Sequence, residues 1–123
     1  MSQAKAAIAL TKGQIDYIKT QKLARIATAS LTGEPDVAAV GFEFDGEYFY
    51  IGEHPGMHSR KYRNVQQNPK ASLVIDDVIM NGSRKFRMLK IRGHAEFVDH
   101  TGYMGTGKYI RIKPVHLSSF GLD

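Results

Sequence analysis

A chain of 123 residues is the length of one domain, residues 1–123, and is long enough to bury a core without covalent staples. It holds no cysteine, which excludes a disulfide framework, a thiolate metal site and a thiol nucleophile. Lys and Arg number 17 against 12 Asp and Glu, a formal charge of +5. That balance favours anionic partners without separating nucleic acid from a phosphorylated cofactor, and no run of five basic residues reads as a nucleic-acid arm.

Met1 to Leu10 carries an Ala-rich run too short and too weakly apolar for a signal-peptide core. No apolar stretch approaches the length that spans a bilayer, so a soluble, cytoplasmic protein is expected. Thr11-Lys12-Gly13-Gln14 fits a capping box, and Ile15 and Ile18 carry a helical spacing as far as Thr20. Leu23 to Ser30 alternates small and β-branched residues, as a closely packed strand does. After a turn at Thr32-Gly33-Glu34-Pro35, Asp36 to Phe44 reads as a second strand, with Gly41 marking a bulge or a close approach to backbone. Asp45-Gly46 is a hairpin turn, and Glu47 to Gly52 returns as an aromatic-rich strand. Ser59 caps a helix that stops near Asn68, ahead of Pro69.

Lys70 to Asp76 is a further strand, and Val78 to Ser83, with Asn81-Gly82, reads as a loop or turn. Phe86 to Val98 is a long strand bent at Gly93. Lys85 and Arg87 fall on the same face as Leu89 and Ile91, so this strand is expected to change faces or cross an interface. Thr101 to Gly107 is glycine-rich, and Tyr109 to Ser119 is a last strand, with Pro114 at an edge or kink. Six strands, mostly hairpin-linked, with two short helices predict a mainly β protein, a small barrel with helical additions.

The segment with most chemical content is His58-Ser59-Arg60-Lys61. Basic residues in a first helical turn oppose the macrodipole. Backbone N–H groups, a serine hydroxyl and two cations there make a phosphate cradle; the plainer reading is a solvated surface helix. The histidines (His54, His58, His94, His100 and His116) lack the spacing of a metal site, so no metal is expected. No serine triad motif is present. Asp76-Asp77 reads as a turn-forming pair rather than an acid/base pair. Arg84 to Arg92, with Phe86 among its cations, is either a strand of snorkelling side chains or a platform for single-stranded nucleic acid.

Taken in order, several segments resemble the pyridoxamine-5′-phosphate-oxidase-like family of split β-barrel flavoproteins. They are the first helix with Leu23-Ala24-Arg25-Ile26-Ala27-Thr28, Gly33 to Val37, Val40-Gly41-Phe42 and Tyr48-Phe49-Tyr50-Ile51. Ser59-Arg60-Lys61, Asn68 to Leu73 and Ile91 to Glu96 follow. The closing Ile110-Arg111-Ile112-Lys113-Pro114 with Ser119-Phe120-Gly121 looks like the short branch of that family that uses the deazaflavin F420. The resemblance implies a homodimer of six-stranded split barrels, with two FMN or F420 sites at the interface. By the same resemblance, Ser59, Arg60 and Lys61 grip the cofactor phosphate, Val40, Gly41 and Phe42 run beside the isoalloxazine ring, and Tyr50 and Ile51 also reach the cofactor. The strand carrying Arg87, and Phe120 from the partner chain, lie near the site.

Two departures stand out. Val37 and Phe42 replace the Arg and Lys of true pyridoxamine-phosphate oxidases, and Phe120 stands where those enzymes carry a Trp, with no substrate-binding arginine after it. Vitamin B6 oxidation is therefore not implied. What is implied is an oxidoreductase transferring hydride between F420 or FMN and a small unsaturated substrate. Since the cofactor carries that chemistry, no catalytic dyad is expected. The rival readings are a non-catalytic cofactor or haem carrier, a single-strand nucleic-acid-binding barrel, and a structural dimer that has lost its cofactor.

Overall fold

The protein's computed structural model describes residues 8–54, 56 and 58–122. Thr11 caps α1 (Lys12–Lys19) with both reciprocal bonds of the capping box in place. Seven strands follow, β1 (Leu23–Ala29), β2 (Pro35–Gly41), β3 (Glu43–Phe44), β4 (Phe49–Gly52), β5 (Lys70–Asn81), β6 (Ser83–Gly102) and β7 (Gly105–Phe120), with α2 (Arg60–Gln67) between β4 and β5. They form one antiparallel sheet in the order β2-β1-β5-β6-β7-β4-β3. The first and last strands of that order are joined by the single residue Phe42. The sheet therefore curls back on itself, and the barrel is split where β2 and β4 lie side by side without a ladder.

The six expected strands are all present, the second divided at Phe42 because its two halves pair with different neighbours: Gly41 with Leu23 of β1, and Glu43 with Tyr50 of β4. One expectation is corrected. Val78 to Ser83 is not a loop, because β5 continues to Asn81, turns at Gly82 (φ 74°) and re-enters β6 at Ser83. The Asn-Gly signal marked only the hairpin tip, and backbone pairing carries the flanks on. The bend at Gly93 is present as a register shift between Arg92 and Gly93 opposite Pro114, which has no N–H to give to the ladder. A Cβ at Gly93 would overlap the Lys113 carbonyl oxygen, so only glycine lets β7 pass so closely.

The core is the inward face of the barrel. Ile26, Phe49, Ile51, Leu73, Ile75, Leu89, Ile91, Ile110 and Ile112 are all essentially without exposure, and each fully buried aliphatic side chain contributes about 1.5–3 kcal/mol. Beyond Leu89 the β5–β6 hairpin leaves the barrel. Arg87 is there half-buried and Lys85 exposed, so the face that carries Leu89 and Ile91 runs out of the core here without the strand changing faces. The two helices close the barrel, α1 through Tyr17 and Ile18, α2 through Val65. Asn64 of α2 donates from Nδ2 to Thr28 Oγ1 at 3.0 Å, a buried polar pair that fixes the helix on β1. No helix among the described residues is long and apolar enough to cross a membrane.

Candidate functional site

The start of α2 holds an assembled set of anion donors. Ser59 is the N-cap, its hydroxyl oxygen accepting from the Tyr62 N–H at 3.3 Å. The Ser59 N–H and hydroxyl both donate to Glu53 Oε2, at 3.1 and 2.8 Å, and Lys61 Nζ lies 3.4 Å from Glu53 Oε1. The side chains of Lys61 and Glu53 are only 13% and 9% exposed. A carboxylate of this chain thus sits where the sequence places an anion. That tests the donor set directly: it accommodates an oxyanion, so the residues fit a phosphate group provided Glu53 yields. Arg60 is exposed and stands outside this cluster. Sequence reasoning missed Glu53, whose one signal is an acidic residue on the loop approaching a basic helix start.

A cavity of about 270 Å³ opens beside this cluster, lined by Glu53, His58, Tyr62, Met104, Lys108 and Tyr109. It leads from the α2 start to the tip of the β6–β7 hairpin. That tip covers the split between β2 and β4. The Tyr103 hydroxyl donates to the Gly41 carbonyl at 2.8 Å and accepts from the Gly52 N–H at 2.8 Å, and burial raises the hydroxyl's pKa. The ring lies where a Gly41 Cβ would stand 3.0 Å from it, and Met104 Sδ lies 2.7 Å from where a Gly52 Cβ would be. Gly41 does admit an aromatic ring close to backbone, as expected for a strand glycine. The ring that uses the space here is that of Tyr103.

The other expected residues of this region divide by orientation. Val40 and Ile51 point into the core, at 8% and 0% exposure, so only their backbone faces outward. Phe42 packs on Phe49 at 6.2 Å. Tyr50 is buried, stacked on His100 at 4.1 Å with the rings 10° apart, and donates to Asp45 Oδ2 at 2.9 Å. Burial raises the Tyr50 pKa, and the Asp45 carboxylate adds to it. Burial pushes Asp45 up, but the Tyr48 and Glu47 N–H groups and the Tyr50 hydroxyl outweigh it and hold the carboxyl low. Tyr50 therefore braces the β3–β4 turn.

Arg87 and Phe120 are not brought to this cavity within one chain. Both sit at the β5–β6 hairpin end, where Met88 is paired with Phe120. Arg87 makes a two-pronged ion pair with Asp77 at 2.9 and 2.5 Å and lies over the Tyr17 ring at 4.8 Å. Phe120 is 60% exposed and touches Phe86. A separate groove of about 740 Å³ crosses the outer sheet face over Ala27, Ala29 and Ser72, with Arg92, His94 and His116 along it. No group of three or more His, Asp or Glu among the described residues is placed to hold a metal ion.

Comparison with known proteins agrees with this geometry. A 5a,11a-dehydrotetracycline/5a,11a-dehydrooxytetracycline reductase of Streptomyces rimosus is 32% identical over 120 residues, covering 92% of this chain and 84% of the reductase. Among solved structures, an F420 reductase is similar at a TM-score of 0.67 and 25% identity, covering 89% of this chain and 98% of its own. The haem storage protein HutZ of Vibrio cholerae shares the fold at a TM-score of 0.66 and 16% identity, with 93% and 95% covered. The family model for pyridoxamine 5′-phosphate oxidase matches residues 10–111. With the split barrel, the capped basic helix start and this match in agreement, the chain belongs to the pyridoxamine 5′-phosphate oxidase family.

Proposed function

We propose that this protein is an oxidoreductase using F420 or FMN, transferring hydride between the cofactor and a small unsaturated substrate, and that it works as a homodimer with a cofactor site at each side of the interface. The observation that carries the reading is the donor set of Ser59 N–H, Ser59 Oγ and Lys61 Nζ around a largely shielded carboxylate. It stands at one end of a cavity whose other end is walled by Met104, the side chain that covers Gly52. The relatives support it: one is named as reducing a dehydrotetracycline, another as an F420 reductase. In this reading Lys61 and Ser59 hold the phosphate, since charge-assisted bonds are the strong ones. The glycine seam gives a flat ring an approach to backbone. The cofactor, when bound, supplies the hydride; the protein supplies position and electrostatics.

The test is to titrate purified apo-protein with F420 and with FMN, following quenching of cofactor fluorescence, and to measure mass in solution by sedimentation. Micromolar or tighter binding of one cofactor by a dimer is expected, and binding of neither would sink the proposal. A second reading, a haem carrier, is favoured by the large outer groove with His94 and His116 along it. It predicts a Soret band on adding haem and no hydride transfer from a reduced cofactor.

A further inference from the structure

The split between β2 and β4 leaves backbone groups without strand partners. β4 pairs with β7 through Gly52, but with β3 only through Phe49 and Tyr50. β2 pairs with β1 on its one laddered side. On the split side the Gly41 carbonyl and the Gly52 N–H face outward, one acceptor and one donor. Both are served by one side-chain atom, the Tyr103 hydroxyl, at 2.8 Å each. A hydroxyl can do this because it donates and accepts at once.

Tyr103 is not a core residue. It is 44% exposed and rides on the tip of the β6–β7 hairpin between Gly102 and Gly105, the latter at φ 82°. Besides the two seam bonds, its N–H donates to Glu43 Oε1 at 3.2 Å. Met104 covers the second glycine from the same tip. The tip is therefore a tethered aromatic group laid on the seam from outside, over two glycines that leave a flat surface for it.

We propose that Tyr103 is a built-in stand-in for the cofactor ring, and that the Gly41 carbonyl and Gly52 N–H are the pair that receive the ring's polar edge once the tip lifts away. This rests on the cofactor reading above. The pyrimidine edge of a flavin or deazaflavin carries a ring N–H between two carbonyls. It offers a donor to Gly41 and an acceptor to Gly52, the polarity that the phenol hydroxyl now satisfies. Closure by Tyr103 then lowers apparent cofactor affinity by the fraction of molecules that are closed.

The experiment uses the full chain, F420 and FMN as ligands, and amide hydrogen exchange at Gly52 as a readout independent of turnover. Tyr103→Phe keeps the ring and removes both hydrogen bonds. It is expected to bind whichever cofactor the wild type binds at least about five-fold more tightly, given what two such bonds contribute. Without cofactor, Gly52 exchange is expected to be slow in the wild type and fast in Tyr103→Phe, and slow again in both when cofactor is added. Met104→Ala, which uncovers the second glycine without touching the hydroxyl, is expected to tighten binding in the same direction. Unchanged or weaker binding by both variants overturns the inference while leaving the cofactor reading standing. A wild type that binds neither cofactor overturns both.

Discussion

Glu53→Gln separates stability from ligand affinity in a way few single changes do. In the folded chain the Glu53 carboxylate and the Lys61 ammonium are 3.4 Å apart, with side chains 9% and 13% exposed. At an effective dielectric of 20 that separation corresponds to an attraction of about 5 kcal/mol, and desolvation of the two groups offsets a large part of it. The carboxylate also accepts from the Ser59 N–H and hydroxyl, bonds to a charged acceptor that contribute roughly 1.5–3 kcal/mol. Glutamine keeps the shape and an acceptor oxygen but leaves Lys61 without a counter-charge. The net loss expected for the unliganded protein is about 2–3 kcal/mol, or roughly 10 °C in melting temperature for a domain of this size.

For an incoming anion the sign reverses, because the variant no longer carries an internal competitor. Inorganic phosphate is expected to raise the melting temperature of Glu53→Gln more steeply than that of the wild type, by mass action on the folded state. The cofactor that binds the wild type is expected to bind the variant about ten-fold more tightly, a difference of roughly 1.4 kcal/mol. Thermal scans over a phosphate series, with a cofactor titration, measure both halves. A variant as stable as the wild type, or one that phosphate stabilises no more than the wild type, refutes the idea that Glu53 occupies an anion site.

Lys61→Ala is expected to weaken cofactor binding by roughly 1.5–3 kcal/mol, the size of a charge-assisted bond, and an unchanged dissociation constant by fluorescence titration removes Lys61 from the site. At the far end of the sheet, the Arg87 guanidinium holds the Asp77 carboxyl below its ordinary value of 3.8; burial opposes this, and Tyr17 and Gln21 add to it. A carboxyl depressed in the folded state contributes stability that is complete above the unfolded value and fades as pH falls through the folded one. Urea midpoints from about pH 5 to about pH 2 should therefore fall more gently in Asp77→Asn than in the wild type. Gly93→Ala places a methyl against the Lys113 carbonyl and 2.7 Å from Ile112 Cγ2. A loss of about 1–3 kcal/mol or more in denaturant unfolding is expected from such overpacking.

The sequence made the strand framework legible because its signals are local. Thr11 and Gln14 spell a capping box that forms as written, Asp45-Gly46 turns where it should, and Gly93 bends β6. The α2 start was legible for the same reason: Ser59 and Lys61 lie within one helical turn. What escaped depends on residues far apart in the chain. Glu53 reaches Ser59 only through a loop path, and Tyr103 reaches Gly41 and Gly52 only once β6 and β7 have paired and folded over the split. Val40 and Ile51 lie on strands, β2 and β4, as their sequence context predicts. Yet alternation alone does not say which face of a barrel strand points outward, and both point inward. Resemblance alone groups Arg87 and Phe120 with the site, Phe120 from a partner chain; within one chain both lie at the β5–β6 hairpin end.

Phe42, the one residue between β2 and β3, has a consequence for how the chain assembles. The hairpins β1–β2 and β3–β4 follow one another directly, but neither completes its sheet with local partners. β1 waits for β5, and β4 waits for β7, where Phe49 meets Ile112 and Tyr50 meets Arg111. Phe42 and Phe44 give Phe49 local cover, but β4 gains its second strand neighbour only when β7 is available. Closing so distant a pair is the slow kind of step, and the kind during which exposed strands associate wrongly. Truncation within β7 is therefore expected to leave β3 and β4 without a place to dock.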